Sequence, residues 1–546
     1  MLSCNLINPW LCATIFGVLS HLFYFRNAEH HKQSFLYLKI SLFLPCAVIL
    51  GLCTLANFTL FASFKLVFQL EILYLVSTFA SIAIYRCSPV HRLYKFPGPF
   101  FWRASKLTHA YKNRDLYGFR HLDSLHKEFG EYVRTGPSEL SITDPDSVIA
   151  IHGSSSKCIR SAWYEMGDPL RSIFETRSKS EHERRRRIWD QGFSVRSLQA
   201  YEPRIESHVN QLIHQIKVKS KAAESVNASI WFNYFSFDVM GDVAFGKGFG
   251  LLESGAKLSV LKMLENGQKG LGVFGSVPWL FMILTKLPWI KKEYDVFLNW
   301  CEKQMLDRRE RKAEFPDIMS HLFSGDPMTS DTTEAHRWLT GDSRIVIVAG
   351  SDAVASSLAF AFYYLAQDVS RANSIRKELI ELEKTSDLSA KALQTKAEYL
   401  NAFITEVLRL WPPNPSGFLR QTPKEGLKIG EKYIPGDVTL CTPLWTLHRS
   451  PKCFRDPLEF IPERWTSQSE LVIRKDAYVP FSCGPYGCVG KQLALMEMRI
   501  AIARIVMEFD VEFASGEGGE RLLADSKDWF TIGLADLMIA FRPREL

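Results

Sequence analysis

Cys488 lies in a loop whose composition is suited to metal binding. Residues 481–490 read Phe-Ser-Cys-Gly-Pro-Tyr-Gly-Cys-Val-Gly, so three glycines and a proline hold the backbone just before a helix predicted from about residue 489. Backbone N–H groups at a helix N-terminus stabilise a cysteine thiolate, the form that binds iron. Hydrogen bonds to the sulfur then tune how strongly it donates electrons to the metal.

Cys488 taken alone has a second interpretation, an inert buried cysteine in a glycine-rich turn. Zinc is disfavoured, because Cys483 and Cys488 are not spaced like a zinc-binding pair and no matching His or Cys pair lies nearby. Eleven cysteines in 546 residues also do not make a disulfide framework. The choice between ligand and inert thiol therefore depends on other parts of the chain.

Three charged residues upstream form a second pattern. Glu406 and Arg409 are one turn apart on a predicted helix and share a face. Arg464, in Phe-Ile-Pro-Glu-Arg-Trp, offers another guanidinium. Because buried charges are stable only when each one is paired, the trio predicts a closed network. An exposed Glu–Arg pair is the alternative for residues 406 and 409 alone.

Together these motifs resemble the cytochrome P450 superfamily. Four positions match its haem-binding signature, Phe-x-x-Gly-x-Arg-x-Cys-x-Gly: Phe481, Gly484, Cys488 and Gly490. Glu406-Val-Leu-Arg409 and the segment around Arg464 resemble its two upstream motifs, in the same order, and the resemblance covers about residues 95–546. It implies heme b with Cys488 as the axial iron ligand, and a mainly α fold with small β-sheets preceded by transmembrane helices.

Further cofactor contacts follow from the resemblance. Haem propionates are anionic and need cations or hydrogen-bond donors. His182 and Arg186, one turn apart, resemble the propionate-binding helix of the family, and Arg420 resembles another propionate contact. Tyr486 replaces the arginine of the signature, and a hydroxyl can donate a hydrogen bond but cannot neutralise a propionate. We therefore expect His182, Arg186 and Arg420 to carry more of that role.

An apolar helix predicted at residues 346–357 contains Gly350 and a single acid, Asp352. It resembles the oxygen-binding helix of the family, Ala-Gly-x-Asp-Thr-Thr. The resemblance implies that Gly350 lets O2 approach the backbone, where a helix bulge can form, and that Asp352 relays protons as a general acid. Ala353 replaces the usual threonine, so proton delivery is expected to use ordered water, a substrate hydroxyl or Ser356. A helix cap or a solvated side chain is the alternative for Asp352.

Helices and short strands must position these residues. Helical periodicity is clear in four stretches: 181–216, 344–366, 391–411 and 489–509. Short strands are predicted near 131–142, 416–440 and 528–542. Residues 104–546 are expected to form one haem-thiolate catalytic domain. By resemblance, four stretches line the substrate: 160–175, 344–353, 415–418 and 529–533.

Residues 1–86 are predicted to form a membrane anchor. Three apolar stretches approach the ~20 residues that a helix needs to cross a bilayer: about 3–25, 35–58 and 66–85. The first lacks the basic start of a signal peptide, and Glu71 makes the third the weakest candidate. A basic, proline-rich hinge spans 87–103, and its charges predict a cytoplasmic catalytic domain, a lumenal N-terminus and a cytoplasmic loop at Arg26 and Lys32.

The net charge and the absence of nucleotide-binding motifs in the sequence exclude some classes of function. The net charge of +7 suits a membrane surface or an acidic protein and is too small for a nucleic-acid binder. In the basic run Arg184–Arg187, the side chains of Arg184, Arg185 and Arg187 are expected to face outward, toward an acidic redox partner. No dinucleotide fingerprint or Walker A pattern occurs in the sequence, so electrons must come from another protein.

The resemblance implies a monooxygenase of the endoplasmic reticulum membrane, most like fungal members of secondary metabolism. It would take electrons from an NADPH-dependent FAD/FMN reductase, activate O2 and oxidise a lipophilic small molecule. Two alternatives stay open. One is a haem-thiolate isomerase or dehydratase that needs neither O2 nor reductase, which Ala353 favours; the other is a non-catalytic haem-binding membrane protein, which Tyr486 favours.

Overall fold

Helices dominate the computed structural model, which describes residues 8–27, 29–221, 225–256, 258–311, 315–324 and 332–544. The α-helices, in chain order, are α1 Pro9–Ser20, α2 Ser34–Leu55, α3 Leu60–Cys87, α4 Phe100–Ala104, α5 Lys106–Lys112, α6 Gly118–Phe129, α7 Asp146–His152, α8 Lys179–Gly192, α9 Val195–Lys221, α10 Ala228–Phe245, α11 Leu251–Ser254, α12 Ser259–Phe274, α13 Pro278–Leu284, α14 Pro288–Glu310, α15 Ile318–Ser324, α16 Thr332–Gln367, α17 Val369–Glu383, α18 Ala390–Lys396, α19 Glu398–Leu410, α20 Leu444–Leu447, α21 Lys491–Glu508 and α22 Glu520–Asp525.

The strands are short and lie beside the helical body. They are β1 Tyr132–Gly136, β2 Glu139–Ile142, β3 Ile159–Arg160, β4 Val226–Asn227, β5 Leu419–Gln421, β6 Leu427–Ile429, β7 Lys432–Ile434, β8 Thr439–Cys441, β9 Phe509–Phe513, β10 Lys527–Asp528, β11 Ile532–Gly533 and β12 Met538–Pro543. The largest sheet has the order β1-β2-β8-β5-β3, a second has the order β4-β12-β9, and two hairpins complete the set. The mainly α fold with small sheets is therefore confirmed.

The core forms around α10 and α16, which pack against each other along their lengths. α10 buries residues on every face, from Trp231 to Phe245, as expected for a helix that is apolar all round. α16 remains α-helical from Thr332 to Gln367, so the helix bulge expected at Gly350 does not form. This pair sets the position of the acid at residue 352.

Two of the predicted helices are each divided in two. The stretch 181–216 breaks between α8 and α9, where the Ser194 hydroxyl accepts a hydrogen bond from the Ser197 backbone N–H and begins the new helix. The stretch 391–411 breaks at Ala397, between α18 and α19. Apolar periodicity continues across both breaks, which is why the pattern alone does not show them.

The N-terminal helices are apolar on the outside. Segments His31–Leu55 and Leu60–Cys87 are long and apolar enough to cross a membrane, and no residue in the most apolar part of the first is buried. The apolar segment at Pro9–Phe25 is shorter, and the first residues of the predicted 3–25 span lie outside the described part of the chain. Thr333–Gln367 also has the length, but it lies largely inside the catalytic core. The three N-terminal segments, Pro9–Phe25, His31–Leu55 and Leu60–Cys87, are therefore the candidate membrane spans.

The loop between α1 and α2 contacts the catalytic domain through ion pairs. Lys32 binds Glu165 and Asp168, at 2.7 and 2.9 Å. Arg177 bridges Glu29 and Glu165, at 2.7 and 2.8 Å. We call this group the anchor clasp: Glu29, His31, Lys32, Glu165, Asp168 and Arg177. It joins the anchor to the segment that leads from β3 to α8.

Not every arginine of the basic run on α8 faces outward. Arg185 is almost fully buried and pairs with Asp342 of α16, whose carboxylate also accepts hydrogen bonds from the Trp189 indole and the Ile173 backbone N–H. The expectation that Arg185 faces a redox partner is therefore wrong. Helical spacing explains the difference, because residue 185 falls on the same face as the buried residues 182 and 189.

The Arg185–Asp342 pair supports a stability prediction. Asp342→Asn leaves a buried guanidinium without its anion, so we expect the free energy of unfolding to fall by about 3–5 kcal/mol. Thermal and urea unfolding of the solubilised protein measure the change. Glu183→Gln, on the exposed face of the same helix, serves as control and should change stability by less than about 0.5 kcal/mol. Equal stabilities of the two variants would contradict the prediction.

Candidate haem site

Backbone hydrogen bonds fix the loop that carries Cys488. The Cys488 N–H donates to the Phe481 carbonyl at 2.9 Å, and the Gly487 N–H donates to the Gly484 carbonyl at 3.0 Å. Gly484 has a φ of +64°, and a Cβ there would lie 2.2 Å from the His152 carbonyl oxygen. Only glycine fits this position, so the match to the signature at residue 484 has a steric cause.

The Cys488 side chain is accessible, although many protein atoms surround its thiol. Burial raises the pKa of the Cys488 thiol, while the N–H groups of Gly490 and Lys491 and the charge of Arg186 act in the opposite direction. The helix N-terminus thus favours the thiolate as expected, but it does not outweigh burial. Cys488 would gain the missing stabilisation of its thiolate from a metal cation bound at the sulfur.

The Glu406 carboxylate is the centre of a fully buried network. Arg409 binds both of its oxygens at 2.8 Å, and the Arg464 Nε binds one of them at 2.8 Å. The Trp465 indole and the Ile461 N–H complete the shell at 2.9 and 3.0 Å. The remaining guanidinium N–H groups of Arg409 and Arg464 bind backbone carbonyls. This is the closed network that the sequence predicted.

A short path of hydrogen bonds joins that network to the cysteine loop. Arg409 donates to the His448 carbonyl, and the His448 ring accepts from the Val479 N–H at 3.2 Å. The Val479 carbonyl in turn accepts from the Ser482 N–H at 2.9 Å, inside the loop. Since its polar groups bind one another and the backbone, the network positions the loop. His448, which the sequence did not single out, is the connecting residue.

A second polar group, on the other side of the loop, has few partners. The Arg160 and Arg420 guanidinium carbons lie 4.6 and 4.8 Å from the centre of the Tyr486 ring, and the His182 ring lies 4.7 Å from it. The Tyr486 hydroxyl and the Nε atoms of Arg160 and Arg420 are buried, and they have no hydrogen-bond partner among the described residues. Such groups are stabilised by an anion that accepts their hydrogen bonds.

The predicted propionate residues have different roles here. Burial, together with the charges of Arg160, Arg186 and Arg420, lowers the pKa of His182 to about 3, so its ring is neutral near pH 7. Arg186 donates to the Gly487 carbonyl at 2.6 Å and pairs with Asp190, beside the cysteine loop. Arg160 joins Arg420 and Tyr486, although the sequence did not single it out. In the sequence, Arg160 is a single arginine in a short strand-like segment. Such arginines are too common to indicate a binding site.

These side chains fit heme b. The loop carries an accessible cysteine, and a cluster of buried donors without partners among the described residues lies beside it. Cys488 can hold the iron, while Arg420, Arg160 and Tyr486 can bind the propionates. The site thus has the donor set of a haem-thiolate centre.

The predicted oxygen-activating residues lie on α16. Asp352 accepts a hydrogen bond from the Gln268 amide of α12 at 2.6 Å. Gly350 packs against Met240 of α10, whose terminal carbon would lie 2.6 Å from a Cβ at that position. The buried Ser356 hydroxyl donates to the Ala353 carbonyl at 3.0 Å, within its own helix. Ser356 is therefore held by the helix, which leaves Asp352 as the titratable group of this segment.

Three of the four predicted substrate stretches meet in one aromatic cluster. Trp163 stacks on Phe530, with ring centres 4.7 Å apart, and Phe174 contacts both rings. Phe418 reaches Phe530 at 6.3 Å. These residues come from 160–175, 415–418 and 529–533, so the structure brings the three stretches together.

Comparison with known proteins identifies the family of this chain. The family model for cytochrome P450 matches residues 95–531. The chain is 35% identical to the cytochrome P450 monooxygenase notG' of Aspergillus versicolor, over 98% of both chains. It is 35% identical to the tryprostatin B 6-hydroxylase of Aspergillus fumigatus, covering 97% of this chain and 96% of that one. It is 36% identical to the cytochrome P450 monooxygenase FCK2 of Fusarium pseudograminearum, over 97% of both.

The fold and the donor set define a haem-thiolate oxygenase whose iron is held by a cysteine. The chain belongs to the cytochrome P450 family, and its relatives are fungal monooxygenases of secondary metabolism. The monooxygenase prediction is confirmed, and the isomerase and non-catalytic alternatives are not favoured.

The Glu406 network supports a second stability prediction. Glu406→Gln leaves two buried guanidinium groups without a carboxylate, so we expect the free energy of unfolding to fall by about 3–5 kcal/mol. Haem incorporation should fall with it, because the network positions the cysteine loop. Glu398→Gln, exposed on the same helix, should cost no more than about 1 kcal/mol. Unfolding curves and haem content per polypeptide measure both; a fully loaded, equally stable Glu406→Gln variant would refute the prediction.

Proposed function

We propose that this chain is a monooxygenase of the endoplasmic reticulum membrane whose catalytic domain faces the cytoplasm. It takes electrons from an NADPH-dependent FAD/FMN reductase and oxidises a lipophilic small molecule in secondary-metabolite biosynthesis. The observation that carries the proposal is the accessible Cys488 side chain in a loop that also carries Tyr486, beside buried arginine Nε atoms that have no hydrogen-bond partner among the described residues. Cys488 is the proposed iron ligand, and Phe481, Gly484 and Gly490 shape its loop.

The anchor clasp supports the proposed orientation. Glu29, His31 and Lys32 precede α2, and their ion pairs put this loop on the same side as the catalytic domain. The chain then crosses the membrane through α2 and returns through α3, which ends at Cys87 beside the same domain. Both ends of this α2–α3 hairpin therefore lie on one side, and the N-terminus lies on the other. Basic residues at 86–103 make that side the cytoplasm.

The aromatic cluster supports a lipophilic substrate with an aromatic surface. Trp163, Phe174, Phe418 and Phe530 offer ring faces and edges, which bind flat apolar groups well. The name of one relative, tryprostatin B 6-hydroxylase, describes hydroxylation of a small molecule. Hydroxylation of such a substrate is therefore the proposed reaction.

Asp352 is the proposed proton donor. Bound haem supplies the activation of O2. Asp352 lies on α16 and is oriented by Gln268, while the usual alcohol is absent because residue 353 is alanine. Proton transfer from the Asp352 carboxyl therefore proceeds through ordered water or a substrate hydroxyl. Gly350 contributes by letting α16 pack closely on Met240 beside this acid.

The reduced, CO-bound absorption spectrum tests the proposed ligand. We expect the Soret band of a thiolate-bound haem in the wild type and its loss in Cys488→Ala. Cys483→Ala, five residues earlier in the same loop, is the matched control and should keep the band. A Cys488→Ala variant that keeps the thiolate band would contradict the assignment.

Oxygen and NADPH consumption test the reaction. With reductase present, NADPH oxidation should accompany formation of a product that carries one atom of ¹⁸O from ¹⁸O2. An isomerase would turn over without NADPH and leave the product unlabelled. Asp352→Asn should slow product formation by about 10²-fold or more, because it removes the proton donor. Unchanged turnover in Asp352→Asn would assign proton delivery elsewhere.

Glycosylation mapping tests the orientation. A short tag with an Asn-x-Ser acceptor site should be glycosylated in microsomes when it precedes residue 1 and not when it follows residue 546. The same tag inserted after Asn27, in the loop of the anchor clasp, should also stay unmodified. Glycosylation at residue 27 would contradict the proposed topology.

A further inference from the structure

The Glu165 carboxylate is the centre of the anchor clasp. Its oxygens lie 3.0 Å from His31 Nε2, 2.7 Å from Lys32 Nζ and 2.8 Å from Arg177 Nη1. Although burial raises the pKa of Glu165, its hydrogen bonds with these three groups lower it more, so the pKa lies well below its usual range. A single exposed ion pair contributes little to stability, whereas a network around one shielded carboxylate contributes more. Two of the three partners belong to the anchor loop, residues 29–33 between α1 and α2.

Arg177 connects the clasp to the sheet of the catalytic domain. Its Nη1 atom donates to Glu29 at 2.7 Å and to Glu165 at 2.8 Å. Its Nε atom donates to the Arg160 carbonyl of β3 at 2.9 Å, and its Nη2 atom donates to the Gln421 side chain of β5 at 2.6 Å. One guanidinium thus joins the anchor loop to two neighbouring strands.

The clasp holds a turn that carries part of the aromatic cluster. The turn Ala162–Gly167 contains both Glu165 and Trp163. The Trp163 ring stacks on Phe530, with ring centres 4.7 Å apart. On its other contact, a Cβ at Gly275, which follows α12, would lie 3.2 Å from the Trp163 indole nitrogen. Because the clasp fixes residue 165, it also restrains the backbone that orients Trp163.

Helix α13 brings a second element to the anchor loop. α13 packs against the turn Ala162–Gly167, against residues 31–33 of the anchor loop and against α2. It follows α12, the helix whose Gln268 side chain binds Asp352. The anchor loop therefore contacts both the turn that carries Trp163 and the helix that packs on this turn.

We propose that the anchor loop positions one wall of the substrate pocket: through the anchor clasp it holds Trp163 against Phe530, and it thereby raises the affinity for a flat aromatic substrate. The inference rests on the proposed function, which places the substrate at the aromatic cluster. Glu29, Lys32 and Arg177 are positioning residues, because they act through Trp163. The anchor then contributes to substrate selection in addition to holding the enzyme at the membrane.

A charge exchange at the pair Lys32 and Asp168 tests the proposal. Lys32→Glu places a third carboxylate beside Glu165 and Asp168, and Asp168→Lys places a second ammonium group beside Lys32, so each single variant should open the clasp. The double variant Lys32→Glu/Asp168→Lys restores an attractive pair in the reversed orientation. Lys127→Glu, at a side chain of α6 that is 78% exposed, reverses a charge outside the clasp and is the matched control.

Hydrogen–deuterium exchange of the full chain in phosphatidylcholine nanodiscs is the first measurement, and it does not depend on bound haem. We expect peptides that cover residues 162–177 to exchange faster in each single variant and at the wild-type rate in the double variant and in Lys127→Glu. Exchange in the core helix α10 should stay unchanged in all variants, because the clasp lies outside the core. Wild-type exchange of residues 162–177 in both single variants would overturn the proposal.

Binding of clotrimazole to the holoenzyme is the second measurement. The imidazole of this probe binds the haem iron, its aryl rings lie on the substrate side, and the Soret shift gives the dissociation constant. Each single variant should bind about threefold to tenfold more weakly, the effect of one aromatic pair. Lys32→Arg, Lys127→Glu and the double variant should stay within about twofold of the wild type.

Recovery in the double variant separates the proposal from a general loss of stability. A brace whose loss only weakens the fold predicts that the effects of the two single substitutions add, and additive weakening in the double variant would overturn the proposal. Failure of the proposed function is distinguishable. The wild type would then show no Soret shift with clotrimazole, whereas exchange of residues 162–177 would still report on the clasp.

Discussion

The balance of buried charge is the constraint on which this catalytic domain depends. At Glu406, one carboxylate pairs with two guanidinium groups, and the other guanidinium donors that are described bind backbone carbonyls. Asp342 of α16 and Arg185 of α8 form a second buried ion pair. These buried ion pairs join elements that are distant in sequence. Arg160 and Arg420, in contrast, have no carboxylate within ion-pair distance among the described residues, as suits residues that would bind an anionic cofactor group.

Two polar groups lie beside the cysteine loop, one with its hydrogen bonds satisfied and one with buried donors that have no described partner. On one side, a saturated network reaches the loop through His448 and Val479 and fixes its backbone. On the other, Tyr486 lies against unsaturated guanidinium groups. The first arrangement stabilises the fold with or without ligand, whereas the second is stable only when the ligand is present. We therefore expect cofactor binding to stabilise the Tyr486 side of the loop more than the His448 side.

Local sequence patterns predicted the motifs. They did not predict the position of a side chain that depends on a partner distant in the sequence. The cysteine loop and the Glu406 trio were found from local motifs that resemble those of the family, and α16 was found from its periodicity. The core helix α10 was not predicted, because it is apolar on every face and shows no amphipathic pattern. Arg160 was missed because its neighbour, Arg420, lies 260 positions away and becomes adjacent only when β3 pairs with β5. Arg185 was misplaced because its partner, Asp342, is on another helix. The break at Ser194 was missed because apolar spacing continues across it.

The anchor clasp joins the proposed membrane anchor to one of the predicted substrate-lining stretches. Arg177 binds Glu29 of the anchor and also donates to the Arg160 carbonyl at 2.9 Å, and Glu165 lies two residues from Trp163. A membrane helix adapts to lipid thickness by tilting, at small energetic cost. If α2 and α3 cross a membrane as proposed, such a tilt would act on these ion pairs and, through them, on the segment that carries Arg160 and Trp163. Detergent micelles or deletion of the anchor would remove that influence.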